Sequence, residues 1–365
     1  MDATSDTGNS RGRRRFGLNG GRQRSSDRLP PKVAEPDRLI DGSQLYGALD
    51  LGTNNCRLLI AAPTARGFHV QDAFSRIVRL GEGLGKTGVL SEAAMLRTIE
   101  ALRVCSNKLV WHKVKNRRLI ATEACRMAAN GLEFIERVRL ETGLVLEIID
   151  RETEAQLAAT GAEPLIEKGA SSALIFDIGG GSTEVMWVEQ RGTGYEILAW
   201  TSIAAGVVTI SEQFGGGVDV TTQSFAAMRD YLRPLLGEFV DRVHAAKGTK
   251  PVPTHLLGTS GTVTTIAGVQ MGLRRYDRSK VDGSWLSSAD AGKVTADLLA
   301  MTYEERTMNP CIGRERADLV MAGCAILEEI RVAFPADRIR VADRGLREGI
   351  LTQMMQNDGT YGRAQ

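Results

Sequence analysis

The chain has 365 residues, 42% of them hydrophobic, with 46 Lys and Arg against 44 Asp and Glu and a net charge of +2, which is enough chain for two cores and too little charge to name a partner. Five cysteines without C-x-x-C spacing and four dispersed histidines argue against a disulfide framework, a metal cluster and a histidine-based triad. No apolar run approaches the ~20 residues of a membrane span and the start lacks a signal-peptide core, so the expected location is the cytoplasm and no membrane partner is expected.

Residues 1–43 are rich in Gly, Ser, Asp and Arg, and Arg11, Arg13, Arg14, Arg15, Arg22 and Arg24 have no acid between them. Such a tail cannot bury a core and is expected to be disordered. It reads either as a solvated leader or as a segment that attaches to RNA, anionic lipid or polyphosphate by charge alone. Order is expected from about Leu45. Tyr46 to Ala61 reads Y-G-A-L-D-L-G-T-N-N-C-R-L-L-I-A, two apolar strands about a turn that starts at Asp50. Phe68 to Leu80 extends the sheet, and Gly81 to Gly85 is expected to be a flexible loop over a cleft. Ser91 caps a helix running through Val110, with Leu96, Ile99, Leu102 and Leu109 assigned to its buried face.

A strand from Arg118 to Ala121 leads into Thr122–Arg126, placing Arg126 at the start of a short helix, where it either forks two phosphate oxygens or makes an ordinary salt bridge. Val145 to Ile149 is a strand, and Glu152 and Glu154 open the next helix. Acids in a first turn answer the helix dipole, yet a carboxylate at a strand end beside a cleft also orients water; position alone leaves both readings open. After a connection from Gly161 to Gly169, the second half begins near Ser171.

Ala173 to Trp187 reads A-L-I-F-D-I-G-G-G-S-T-E-V-M-W, a hairpin whose three glycines can take the positive φ of a tight turn. Outward backbone N–H groups and the Ser182 and Thr183 hydroxyls suit phosphate, and Asp177 suits a hydrated divalent cation. A strand from Glu196 to Ser202 follows. Thr221 to Val243 is a helix with Phe225, Met228, Leu232, Leu236, Phe239 and Val243 inward and a kink expected at Pro234. His255 reads as a strand-edge residue. Asp318 to Val332 is a helix, and a last strand, Ile339 to Ala342, meets Asp343-Arg344-Gly345 and a terminal helix from Leu346.

The two hairpins are copies. Asp50, Leu51 and Gly52 match Asp177, Ile178 and Gly179, Asn55 stands opposite Ser182, and Leu119–Ala124 pairs with Leu256–Gly261 as a strand entering a small-residue loop. This duplication predicts two similar α/β domains, residues 44–168 and 169–365, with both glycine turns lining the cleft between them and the terminal helices free to pack back on the first.

With both aspartate turns, Thr122–Asn130, Glu147–Ala155, Gly258–Thr262 and Leu346–Leu351 taken together, the chain from Tyr46 to Met354 resembles the exopolyphosphatase and guanosine pentaphosphate phosphatase (Ppx/GppA) family. The resemblance implies the duplicated, ribonuclease H-like fold of actin, sugar kinases and Hsp70. It implies hydrolysis of the terminal phosphoanhydride of inorganic polyphosphate, of pppGpp, or of both, with polyphosphate or guanosine penta- or tetraphosphate as the partner bound. The phosphate would be held by Gly52, Thr53, Asn54 and Asn55, by Gly179, Gly180, Gly181 and Ser182, and on the far side by Gly258, Ser260, Gly261 and Thr262. Arg126, at the arginine of the family's R-x-A-x-N pattern, would clamp the polyanion. Glu154, matching the glutamate of its E-E-A segment, would orient or deprotonate water. Mg2+ would lie near Asp50 and Asp177, chiefly through water. A homodimer is compatible with the resemblance, and nucleic-acid contact would be confined to nonspecific attachment by the tail.

The chain departs from the family pattern at Thr53 and Asn55 in the first turn, at Thr209, where many members carry arginine, and at Arg344, which replaces a common glycine. The HD-like carboxy-terminal extension of longer members is not expected here. These departures weigh against processive work on long chains. A kinase or chaperone-like ATPase of the same fold and a non-catalytic alarmone or polyphosphate sensor are the competing classes, and the Glu154 and Arg126 segments favour the phosphatase.

Overall fold

The computed structural model describes residues 44–361 except Arg66 and Thr193, so the expected basic tail lies outside the described residues. The first half opens on an antiparallel meander, β1 (Tyr46–Leu51), β2 (Asn55–Thr64) and β3 (Gly67–Ile77). There follow α1 (Leu84–Thr87), α2 (Glu92–Trp111), β4 (Asn116–Ala121), α3 (Glu123–Met127), α4 (Gly131–Thr142), β5 (Glu147–Ile148) and α5 (Arg151–Ala162). The second half repeats the plan with β6 (Ser172–Ile178), β7 (Thr183–Arg191), β8 (Gly194–Ile203), α6 (Val207–Gln213), α7 (Thr222–Lys247), β9 (His255–Thr259) and α8 (Ser260–Gln270). It continues through α9 (Arg278–Val281), β10 (Trp285–Ser287), α10 (Ser288–Ala300), α11 (Tyr303–Met308), α12 (Val320–Ala333), β11 (Arg338–Val341) and α13 (Leu346–Asn357).

The sheets run β3-β2-β1-β4-β5 and β10-β11-β9-β6-β7-β8. In each, a three-stranded antiparallel meander continues into parallel strands from its first member, so the second sheet is the first with β10 added antiparallel at its edge. This is the duplicated actin-like α/β fold. Asp50 pairs with Arg57 across its hairpin, and Asp177 pairs with Glu184 across the other. The parallel registers differ: Ile120 stands beside Asp50, but Thr259 stands beside Asp177. Gly258 is therefore in the strand, and α8 begins directly beyond the level of Asp177.

Each half has its own core, with Ile99, Leu102, Leu109, Phe134 and Val138 of α2 and α4 on the first sheet, and α7, α8, α10 and α12 on the second. Ser91 caps α2 through Ala94 N, but Leu96 is exposed. It lies roughly 200° round the helix from Ala94, past the edge of the buried arc through Thr98, Leu102 and Cys105. All six apolar residues assigned to α7 are buried, and the helix runs on through Pro234. His255 is a core residue: its ring accepts from Glu167 N at 3.2 Å, pairs with Leu256 O at 2.9 Å, and burial holds its pKa down. Other boundaries shift. β3 stops at Ile77, only Glu147 and Ile148 pair in β5, and α5 carries on through Gly161.

The remaining faces are covered by α5 and α13. Ala155, Ala158, Ala159 and Ala162 of α5 lie on Ile175, Met186 and Val188 of the second sheet, whereas Ile350, Leu351 and Met355 of α13 lie on Tyr46, Ala48 and Leu59 of the first. Ile350, Leu351 and Met355 are fully buried and each contributes about 1.5–3 kcal/mol. The two helices touch through glycine. A Cβ on Gly161 would stand 2.0 Å from Gly345 O, and one on Gly349 would stand 1.9 Å from Leu157 O. Among the described residues no helix is long and apolar enough to cross a membrane.

Candidate active site

Both hairpin turns open into one cleft together with the start of α8 and the loop from β11 to α13. The turns are closed alike, Gly52 N donating to Asn55 O and Gly179 N to Ser182 O, both at 2.9 Å. Their carbonyls are then taken by the chain that follows each meander. Gly81 N donates to Thr53 O and Val78 N to Asn54 O, while Val207 N donates to Gly179 O and Val208 N to Gly180 O. With the carbonyls bound from behind, the N–H groups of Thr53, Asn54, Gly180 and Gly181 make no hydrogen bond among the described residues. Buried N–H groups are seldom left so, and a row of them is an anion cradle.

None of Gly179, Gly180 and Gly181 has a positive φ, which corrects the reason expected for the triplet. The glycines are there for close approach. A Cβ on Gly180 would lie 3.0 Å from Thr53 Cβ, and one on Gly181 would lie 2.6 Å from Thr53 Oγ1. The two turns rest on each other, and a side chain would wedge the halves apart. Opposite them, Ser260, Gly261 and Thr262 form the first turn of α8, whose unpaired N–H groups suit phosphate. Ser260 sits at φ 85, a strained backbone for a residue with a side chain, and its Oγ is buried without a partner. Gly258 is not part of this wall. A Cβ there would strike the Phe176 ring at 2.5 Å and Val263 at 2.7 Å, so it is a packing glycine displaced by the two-residue difference in register.

Glu154 lines the cleft and is buried, while Glu152 is exposed, so the structure separates two carboxylates that the sequence could not. Asp150 caps α5 by accepting from Thr153 N at 2.7 Å, which fixes the helix start that carries Glu154. Arg126 is corrected on two counts. It lies in the last turn of α3 rather than the first, and it is absent from the cleft lining. Its guanidinium donates to Glu123 Oε2 at 2.6 Å, Glu154 Oε2 at 2.9 Å and Ile149 O at 2.6 Å. It therefore holds Glu154 in place and has no edge left to clamp a polyanion.

Four guanidinium groups, those of Arg57, Arg316, Arg344 and Arg347, line the cleft without having been picked out as phosphate ligands. Arg57 and Arg316 make no side-chain hydrogen bond among the described residues, and Arg347 has only Glu348 at 4.0 Å. Burial pulls the pKa of Arg316 and Arg347 down, the mark of cations short of counter-charge. Arg344 is tied to Asp282. Glu184 is a further carboxylate of the site, accepting from Ser182 Oγ and Ser202 Oγ at 2.7 Å each. Extending the matched turns by two residues reaches Arg57 in one copy and Glu184 in the other, so that signal was present in the sequence. Thr209 is not at the cleft: its hydroxyl accepts from Gly206 N at 2.8 Å and caps α6. Nor is the Gly81–Gly85 segment a free cover. Gly83 N donates to Glu212 at 2.9 Å and the neighbouring Arg79 pairs with Asp318 at 2.8 Å, tying it to the second half.

Burial pushes the carboxylates up: Asp50 and Glu154 above their ordinary values, Asp177 to about 6 and Glu184 to about 7. Beyond desolvation, Asp177 raises Glu184, and Glu184 raises Glu154 against the opposing charge of Arg126. A carboxyl raised in the fold favours folding below its ordinary pKa, and that contribution is lost as pH rises through the raised value. Metal-free protein is thus expected to lose stability from pH 5 to 8. Glu184→Gln should flatten that dependence and raise stability at pH 8 by roughly 1–3 kcal/mol. Thermal melts at both pH values check this, and a lower Tm for the variant at pH 8 would contradict it. Asp50 and Asp177 bring two carboxylates into the cleft, while no group of three metal-ligating side chains gathers among the described residues. That donor set fits a cation that keeps most of its own water, not an all-protein cage.

A model of the Ppx/GppA phosphatase family matches residues 59–358. The chain is 30% identical over 318 residues to exopolyphosphatase 2 of Mycobacterium tuberculosis, covering 83% of this chain and 96% of that one. Among solved structures, the Aquifex aeolicus member of the Ppx/GppA family superposes with a TM-score of 0.71 at 29% identity, covering 86% of this chain and 98% of that one. An exopolyphosphatase from Cytophaga hutchinsonii gives a TM-score of 0.77 at 26% identity, covering 87% and 98%. With the family model spanning most of the described residues and the duplicated fold shared throughout, the chain belongs to the Ppx/GppA phosphatase family.

Proposed function

We propose that this protein hydrolyses the terminal phosphoanhydride bond of inorganic polyphosphate by attack of water. The observation that carries the reading is the row of unpaired N–H groups at Thr53, Asn54, Gly180 and Gly181, facing the start of α8 in a cleft that also holds Arg57, Arg316, Arg347 and the buried carboxylate of Glu154. Phosphoryl transfer asks for position and charge neutralisation rather than a protein nucleophile, and these groups supply both. The turns and α8 would hold the terminal phosphate and the arginines the charge behind it. Glu154, kept in place by Arg126 and raised toward the working pH by burial, would take the proton of the attacking water. Among the described residues none that lines the cleft is aromatic, which favours a bare phosphate chain over a guanine nucleotide such as pppGpp. Phosphate release from polyphosphate, pppGpp and ATP, measured side by side, tests the reading, with polyphosphate expected to be fastest. Turnover of ATP alone would move the protein to the ATPase class.

Asp50 and Asp177 would hold hydrated magnesium, which when bound neutralises phosphate charge. Asp177→Asn is expected to keep the fold and to raise the magnesium needed for half-maximal rate by roughly 10- to 100-fold. A magnesium titration of the variant that matches wild type would remove Asp177 from this role.

A further inference from the structure

Arg344 stands in the loop from β11 to α13, on the wall of the cleft beside Asp343 and Gly345. Its Nε and Nη2 both donate to Asp282 Oδ2, at 3.2 and 2.7 Å. Asp282 is itself fixed, since its Oδ1 accepts from Asp343 N at 3.0 Å and its side chain is only 14% exposed. One edge of the guanidinium is thus locked to the wall. Of its five N–H groups two are used, and Nη1 has no partner among the described residues. Depth distinguishes Arg344 from its neighbour. The Arg347 side chain is 13% exposed, whereas that of Arg344 is 34% exposed, so Arg347 belongs to the interior of the cleft and Arg344 to its mouth.

We propose that Arg344, oriented by Asp282, is an outer phosphate subsite that grips a linear polyphosphate behind the residues under attack and sets the preference for chain length. The proposal rests on the cleft being a polyphosphate-hydrolysing site. A planar guanidinium held by one edge presents its remaining donors as a fork that matches two oxygens of a phosphate. Asp282 cancels much of its field, so it acts by contact more than by long-range attraction. A substrate that ends near the glycine turns does not reach it. A long chain must pass it.

The test is steady-state phosphate release by the full chain from tripolyphosphate and from long-chain polyphosphate, in wild type, Arg344→Ala, Arg344→Lys and Asp282→Ala. Arg344→Ala is expected to raise the ratio of the long-chain KM to the tripolyphosphate KM by roughly 3- to 10-fold, with kcat moving less than KM, and the difference should shrink as salt rises. Arg344→Lys, which keeps charge without the fork, should raise the ratio by roughly 2-fold and carries the test if the alanine variant does not fold. Asp282→Ala should also raise it although the arginine is still present, a result that a charge acting without orientation would not give. An unchanged ratio in both Arg344 variants, with wild type active, overturns the subsite alone; equal losses on both substrates, with a lowered Tm, assign the pair to holding the loop and overturn it as well. A wild type inactive on both substrates overturns the polyphosphate reading and the subsite together.

Discussion

Glu154→Gln is expected to lower kcat by about 10² to 10⁴ while KM stays within roughly 3-fold of wild type. The amide keeps the shape of the side chain and an oxygen to accept from Arg126 Nη2, now at 2.9 Å, but it cannot take a proton from water. The fold should tolerate the change, since Arg126 retains Glu123 and Ile149 O as partners. Glu152→Gln is the control, for Glu152 is exposed and among the described residues its side chain accepts only from Gln156 Nε2, at 3.3 Å. A Glu154 that takes the proton of the attacking water, as proposed, must work ionised, and because its pKa is raised the acidic limb of kcat should lie above the usual glutamate range, with rate increasing as pH rises through it. Turnover by the Glu154 variant equal to that of the Glu152 variant would remove Glu154 from the chemistry.

The second large effect belongs to the crossing of α5 and α13. Gly349→Ala is expected to destabilise the protein by roughly 2–4 kcal/mol, although alanine is the better helix former. The added methyl would meet Leu157 O at 1.9 Å, and backbone cannot yield as a side-chain tip does. Separating the helices also shifts Gly345, Arg344 and Arg347 relative to Glu154, so activity should fall at temperatures where the variant is still folded. Half-buried Gly237, with open space where an added Cβ would stand in α7, is the control: Gly237→Ala should leave Tm unchanged or raise it. Equal melting curves for Gly349→Ala and wild type would show that the helices can part without cost.

The strands beside Asp50 and Asp177 were legible because apolar runs broken by D-x-G turns carry local pattern, and their duplication carried the fold with them. What escaped depended on contact between distant segments. Arg316 and Arg347 lie in loop and helix-start positions with no periodic signal, and only tertiary folding brings them to the cleft. The pairing of Arg126 with Glu123 could have been read from their i, i+3 spacing, but its bond to Glu154, 28 residues on, could not. Gly258 was misplaced because like sequences on β4 and β9 were matched by residue type, whereas the register slides β9 by two residues. The glycine triplet was recognised for the right place and the wrong cause, since the pressure on it comes from Thr53 and Asn54 in the other half of the chain.

In the proposed reaction, water attacks the terminal phosphorus of a polyphosphate chain held in this cleft. Wild-type protein given long-chain polyphosphate in oxygen-18 water, followed by phosphorus NMR from the first turnovers, tests it most directly. The expected product is orthophosphate carrying one solvent oxygen, with the remaining chain unlabelled and shortened from its end. Fragments longer than one phosphate, or solvent oxygen on the new end of the chain in place of the released phosphate, would contradict it.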